Sequence, residues 1–316
     1  MNLNTLQNHY LDLMLDFLTG RIFKDPSNIS FLKRSVQPSE DFFIGVAREN
    51  GFDFPKTAYT MIGVKRMKNI RALIEKIITD DIEGDFIETG VWKGGACIFM
   101  RAILAAYDIT NRNVWLADSF QGLPKADLLK YPADEWADFS SIDDLKIDQE
   151  QVKSHFDQLR LLDDQVKFLK GWFKDTLHKA PIQNLALIRL DGDMYESTMD
   201  SLQALYPKLS NGGYVIVDDY NLPPCRNAIH DFFQINHIDP NLIPIDNWSV
   251  YWQKIDPSVS VTQKKINHSN TISDTLLASY MALNKNTIQK LEDAMANLGK
   301  RNEVMYKKIN SLTRHT

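Results

Sequence analysis

The sequence predicts an α/β chain built on a mostly parallel sheet with an antiparallel edge, a helical N-terminal region and a C-terminal heptad helix. Three observations carry that reading. Through the middle of the chain, short apolar runs alternate with helix-patterned stretches. Several of the apolar runs finish in an acidic residue: Glu88, Asp118, Asp191 and Asp218. From Leu277 onward, apolar residues recur at alternating spacings of four and three.

The strand-like runs are, in order, 85–91, 113–118, a weaker one at 165–169, 185–191 and 213–218. A late strand at 247–254 is expected to pair with 242–246 as an antiparallel edge. Helical patterns occupy 61–79, 94–107, 150–160, 194–208 and 224–235. Residues 1–60 read as a helical cap or lid region, 61–255 as the main domain, 256–275 as a polar linker and 276–316 as a coiled-coil-like helix. The connection from Lys125 to Gln149 is long enough to be a lid or a substrate wall. In the tail, Met281, Ile288, Met295, Asn302 and Ile309 fall at one heptad position, with Leu277 and Asn284 at the other. That narrow seam predicts self-association or partner docking.

Composition narrows the function classes. The chain has 316 residues, one large domain with additions or two small ones at roughly 100–200 residues per domain. Hydrophobic residues make up 44% and charged residues 24%, which excludes a disordered chain. No apolar run is long enough for a spanning helix. The first twenty residues carry Asp12 and Asp16 without a basic start, so no secretory signal is expected. Two cysteines give no disulfide framework, and the cytoplasm is the expected compartment. Net charge is −5, but residues 256–316 hold nine Lys and Arg against five Asp and Glu, so the body carries −9. An acidic body argues against a nucleic-acid partner, since phosphate binding rests on Lys and Arg. It leaves neutral or metal-bound substrates open.

The chemistry lies at the strand ends, where open parallel sheets bind ligands. Glu88-Thr-Gly90-Val-Trp-Lys-Gly94-Gly95 follows the first strand and enters a helix. It differs from the dinucleotide pattern G-x-G-x-x-G by placing an acid before its first glycine and offering no close glycine pair to a pyrophosphate. That favours an adenosyl cofactor without phosphates. S-adenosylmethionine, which carries an ammonium and a sulfonium, suits an acidic pocket. Asp118, thirty residues after Glu88, is placed to accept ribose hydroxyls. Trp172, past the third strand, is placed to stack on adenine or to fill the core. Asp191-Gly-Asp193 and Asp218-Asp219 bring three or four carboxylates together. Like charges so close need compensation. A hard divalent cation such as Mg²⁺ would supply it and would activate a hydroxyl, with a free Asp taking the proton. The plainer alternative makes each of these acids a turn residue or helix cap.

These residues sit in longer blocks: Tyr10-Leu-Asp-Leu13, Ala58-Tyr-Thr-Met-Ile-Gly63, Glu88-Thr-Gly-Val-Trp-Lys-Gly-Gly-Ala96, Ala117-Asp-Ser-Phe-Gln-Gly-Leu-Pro124, Leu161-Leu-Asp-Asp164, Gly171-Trp-Phe173, Leu190-Asp-Gly-Asp-Met-Tyr-Glu-Ser-Thr198 and Val217-Asp-Asp-Tyr220. In that order the chain resembles the macrocin O-methyltransferase family, whose members methylate hydroxyls of deoxysugars. The resemblance implies a Rossmann-like class I methyltransferase fold with seven strands, using S-adenosylmethionine and Mg²⁺. It implies Asp191, Asp218 and Asp219 as metal ligands and Asp193 as general base. Thr60, Met61, Glu88, Gly90, Asp118, Ser119, Trp172 and Asp191 would then line the cofactor site. It further implies a small glycosylated or sugar acceptor and a homo-oligomer. The heptad tail lies outside the family pattern. Aglycone, sugar and position depend on the shape of residues 125–149, and amino and phenolic acceptors stay open, because the same metal site could orient a catechol-like pair of oxygens. Two other readings are an NAD-linked sugar oxidoreductase, whose glycine fingerprint is not evident, and a methyltransferase-like assembly protein docking through its tail.

Overall fold

The computed structural model describes residues 3–27 and 43–255. The linker and heptad helix expected over 256–316 lie outside the described residues.

Helix α1 (Leu3–Leu18) buries Leu11, Met14, Leu15 and Leu18, the stripe that a period of 3.6 places on one face. A short α2 (Gly45–Asn50) ends on Gly51 in the left-handed region, and α3 (Gly63–Thr79) follows. The main domain then alternates β1 (Asp85–Thr89), α4 (Gly95–Ala106), β2 (Val114–Asp118), α5 (Gln149–Gln158), β3 (Val166–Lys170), a one-turn α6 (Phe173–Thr176) and β4 (Leu185–Leu190). It closes with α7 (Tyr195–Leu205), β5 (Leu209–Val217), α8 (Pro223–Asn236), β6 (Ile243–Pro244) and β7 (Val250–Gln253).

Seven strands form one sheet in the order β3-β2-β1-β4-β5-β7-β6. The first five run parallel, and β7 pairs antiparallel with both β5 and β6. The mostly parallel sheet with an antiparallel edge is therefore as the sequence predicts. Its two faces are covered by separate apolar layers. Helices α1, α3, α4 and α5 contribute Leu15, Ile74, Phe99 and Phe156 to one layer. Helices α7 and α8 contribute Leu202, Leu205, Ile229 and Phe232 to the other. Helix α4 is buried along almost its whole length, which matches its run of Ile, Phe, Met and Leu.

One strand differs from expectation. The fifth starts at Leu209, ahead of the expected 213–218, and takes in Gly212 and Gly213. Leu209 pairs with Leu185, and the register then shifts so that Tyr214 opposes Leu187. The glycines sit inside that irregularity, where Gly212 adopts a φ of +86° and donates to the Lys254 carbonyl. No helix among the described residues is long and apolar enough to cross a membrane.

Candidate active site

The carboxyl ends of β1, β2, β4 and β5 open into a cavity of about 890 Å³. All eleven site residues expected from the sequence line it: Thr60, Met61, Glu88, Gly90, Asp118, Ser119, Trp172, Asp191, Asp193, Asp218 and Asp219. Topology explains the gathering. In a parallel sheet every strand delivers its last residue to the same edge, so acids far apart in sequence become neighbours. Gly90 makes the close approach possible. Its φ is +86°, and a Cβ there would lie 1.7 Å from the Asp191 carbonyl oxygen, so only glycine fits between the two strand-end turns.

Several of these acids also shape the backbone. Asp118 accepts the N–H of Val91 at 2.8 Å and that of Phe120 at 2.7 Å, tying the end of β2 to the glycine turn after β1. Ser119 accepts the N–H of Gln121 at 2.9 Å and donates to the Gly122 carbonyl at 2.6 Å. Asp219 accepts the N–H of Asp193 at 3.2 Å. The turn-residue alternative thus holds for these side chains alongside their place in the cavity wall.

The electrostatics centre on Arg189, which is fully buried. Its guanidinium donates to Glu88, to Asp191 at 2.7 Å and to Asp218, three carboxylates from three strand ends. Arg66, on α3, donates to the other oxygen of Asp218 at 2.6 Å and to Asp246 at 2.8 Å. Burial pushes the Glu88 carboxyl up to about 7 despite Arg189 and a 2.9 Å hydrogen bond from the Cys97 thiol. Burial, reinforced by the charges of Asp191 and Asp218, pushes Asp193 up to about 7. Burial also raises Asp191 and Asp118, and it raises Asp219 well above the ordinary carboxylate range, helped by the negative charge of Asp193. One carboxylate oxygen from each of Asp191, Asp218 and Asp219 lies within 4.8 Å of the others. That all-oxygen donor set is of the kind a hard divalent cation takes.

Residues 7–254 match the family model for macrocin O-methyltransferase (TylF). The chain belongs to the macrocin O-methyltransferase family. It is an S-adenosylmethionine-dependent O-methyltransferase. It is 46% identical over 253 residues to the demethyldecarbamoylnovobiocin O-methyltransferase of Streptomyces niveus, covering 79% of this chain and 95% of that one. It is 44% identical over 248 residues to the mycinamicin III 3''-O-methyltransferase of Micromonospora griseorubida, covering 78% and 96%. The solved structure of the O-methyltransferase NovP superposes with a TM-score of 0.74 at 46% identity, covering 79% of this chain and 100% of that chain. Family membership decides against the dehydrogenase reading.

In this O-methyltransferase the sequence pointed to the acids but missed the bases that hold them. Arg189 is visible as the single charged residue of an otherwise apolar strand, a pattern that signals a buried partner. Arg66 and Asp246 stand 180 residues apart and carry no local mark of their pairing. Cys97 reads as an ordinary small core residue.

Proposed function

We propose that the protein methylates a sugar hydroxyl on a small glycosylated natural product, with Mg²⁺ held by Asp191, Asp218 and Asp219 and with Asp193 as general base. The observation that carries the reading is the convergence of these four acids on one wall of the cavity that Glu88, Asp118 and Trp172 also line. A third relative supports the sugar: the Streptomyces olivaceus enzyme, 44% identical, is named for 4'-O-methylation of a dimethoxy-rhamnosyl tetracenomycin C.

A sugar hydroxyl is too weak an acid to attack unaided, so a base must take its proton as the new C–O bond forms. Asp193, raised to about 7, has a proton affinity matched to neutral pH. S-adenosylmethionine supplies the methyl group. Asp118 and Ser119 would hold its ribose, Trp172 its adenine, and Glu88, Gly90, Thr60 and Met61 the remainder of its binding surface. Mg²⁺ supplies the Lewis acidity that lowers the pKa of an acceptor hydroxyl. Positioning the acceptor oxygen in line with the methyl carbon would provide much of the rate. Both cysteines are buried free thiols, which suits the cytoplasm. The heptad helix would join copies of the chain.

A mass-shift screen of glycosylated metabolites with S-adenosylmethionine and Mg²⁺ tests the substrate class; products methylated only on aglycone positions would refute it. Asp193→Asn should lower turnover by about 10²-fold or more with cofactor affinity retained. Near-normal turnover in that variant would remove Asp193 as the base.

A further inference from the structure

The segment between β2 and α5 contains two 3-10 turns, Pro132–Trp136 and Asp143–Leu145. Between and within them Phe139, Ile142 and Leu145 form an apolar part of the cavity wall. The stretch spanned by these two turns is fastened at both ends. The Trp92 indole N–H, from the glycine turn, donates to the Asp144 carbonyl at 2.9 Å. At the other end Asp134, fully buried, accepts the N–H of Tyr195 at 2.5 Å and that of Glu196 at 3.2 Å.

Those two N–H groups are the first donors of α7. The residue that should cap them, Met194, has no side chain able to do so. A carboxylate 61 residues away in sequence supplies the cap instead. Immediately before α7 lies the turn that carries Asp193. Asp193 adopts a φ of +56°, a left-handed conformation that a residue other than glycine holds only when its surroundings impose it. Two restraints flank it: Asp219 accepts its N–H on one side, and Asp134 fixes the helix start on the other.

We propose that Asp134 is a positioning residue that makes this part of the cavity wall and the Asp193 turn one mechanical unit. The wall fixes the helix start, and the helix start fixes the carboxylate beside the acceptor. This rests on the reading of Asp193 as the base.

The test uses the full chain with three variants: Asp134→Ala, Asp134→Asn and Asp134→Ala/Asp193→Asn. Amide hydrogen exchange, which needs no acceptor, should show Tyr195 and Glu196 exchanging at least about tenfold faster in Asp134→Ala, with the core strands unchanged. With demethyldecarbamoylnovobiocin as acceptor, or the compound that the methylation screen returns, kcat should fall by about 10- to 100-fold. S-adenosylmethionine affinity should stay within about twofold, because the cap touches none of the proposed cofactor residues. Asp134→Asn keeps one carbonyl acceptor and should recover part of the loss. In the double variant, removing Asp134 should cost no more than Asp193→Asn alone. Wild-type kcat in Asp134→Ala, unchanged exchange at 195 and 196, or fully multiplicative losses in the double variant would each overturn the proposal. Near-normal turnover of Asp193→Asn would instead remove the base assignment. Faster exchange at Tyr195 and Glu196 in Asp134→Ala, which needs no acceptor, would then still show that Asp134 holds the helix start.

Discussion

Replacing Arg189 by Met should cost about 3–5 kcal/mol of folding stability near pH 8, the usual price of stranding buried charge. Arg189 is fully buried and Met approximates the length of its stem, so the perturbation is electrostatic. Of its three partners, Asp218 keeps Arg66, whereas Glu88 and Asp191 lose their guanidinium. The size of the effect depends on pH. Glu88 already sits at about 7 in the folded protein, against an ordinary value of 4.5. Because its folded value is raised, the associated stability is fully present below about 4.5 and is lost as pH rises to about 7, some 3 kcal/mol in all. Without Arg189 the folded value climbs further, so the loss continues above pH 7. The deficit of the variant should therefore be smaller near pH 5.5, where Glu88 is protonated with or without its partner. Urea unfolding followed by tryptophan fluorescence at both pH values measures it. A deficit below about 1 kcal/mol, or one of equal size at both pH values, would refute the claim that Arg189 compensates these acids.

Three further outcomes follow from the site geometry. Gly90→Ala should lose about 3 kcal/mol or more, because backbone must move to admit the Cβ; an unchanged urea midpoint would show that the turn has room. Asp118→Asn turns one of two acceptor oxygens into a donor facing the N–H of Val91 or Phe120, and fluorescence titration should show S-adenosylmethionine affinity reduced about tenfold or more. Mg²⁺ at about 100 times its Kd should stabilise the protein by about 2.7 kcal/mol in thermal melts, and Asp219→Asn should abolish that gain; equal shifts in both proteins would remove Asp219 from the donor set.

Much of this site is legible in the sequence because parallel sheets collect their strand ends. Once 85–91, 113–118, 185–191 and 213–218 are read as parallel strands, Glu88, Asp118, Asp191 and Asp218 must face one edge, with no tertiary detail required. The start of β5 was less legible, because the apolar run begins only after Gly212-Gly213, which occupy a register shift inside the strand. Pairings across the chain were not legible at all. Asp134 reads as one more polar residue in a long loop, and only the fold shows that it caps α7. Arg66 and Asp246 meet because α3 and the loop before β7 pack at the same sheet edge, a consequence of chain path rather than of local pattern.

Arg189 and Arg66 share the compensation of these acids with any cation. Adjacent carboxylates need compensation, and in the sequence alone only a metal supplies it. The fold divides it. Asp218 is bound on one oxygen by Arg189 and on the other by Arg66, and is almost fully buried. Asp191 shares Arg189, and its side chain remains 25% exposed. Asp193 and Asp219 line the cavity, and both are pushed up by burial and by the charge of their acidic neighbours. Compensation therefore falls off from the sheet interior toward the cavity. The inner carboxylate is held by fixed guanidinium charge and sets the frame, with a second lone pair on each oxygen left for the proposed cation. The outer ones retain the unmet demand for positive charge that the proposed cation or an acceptor's proton would satisfy.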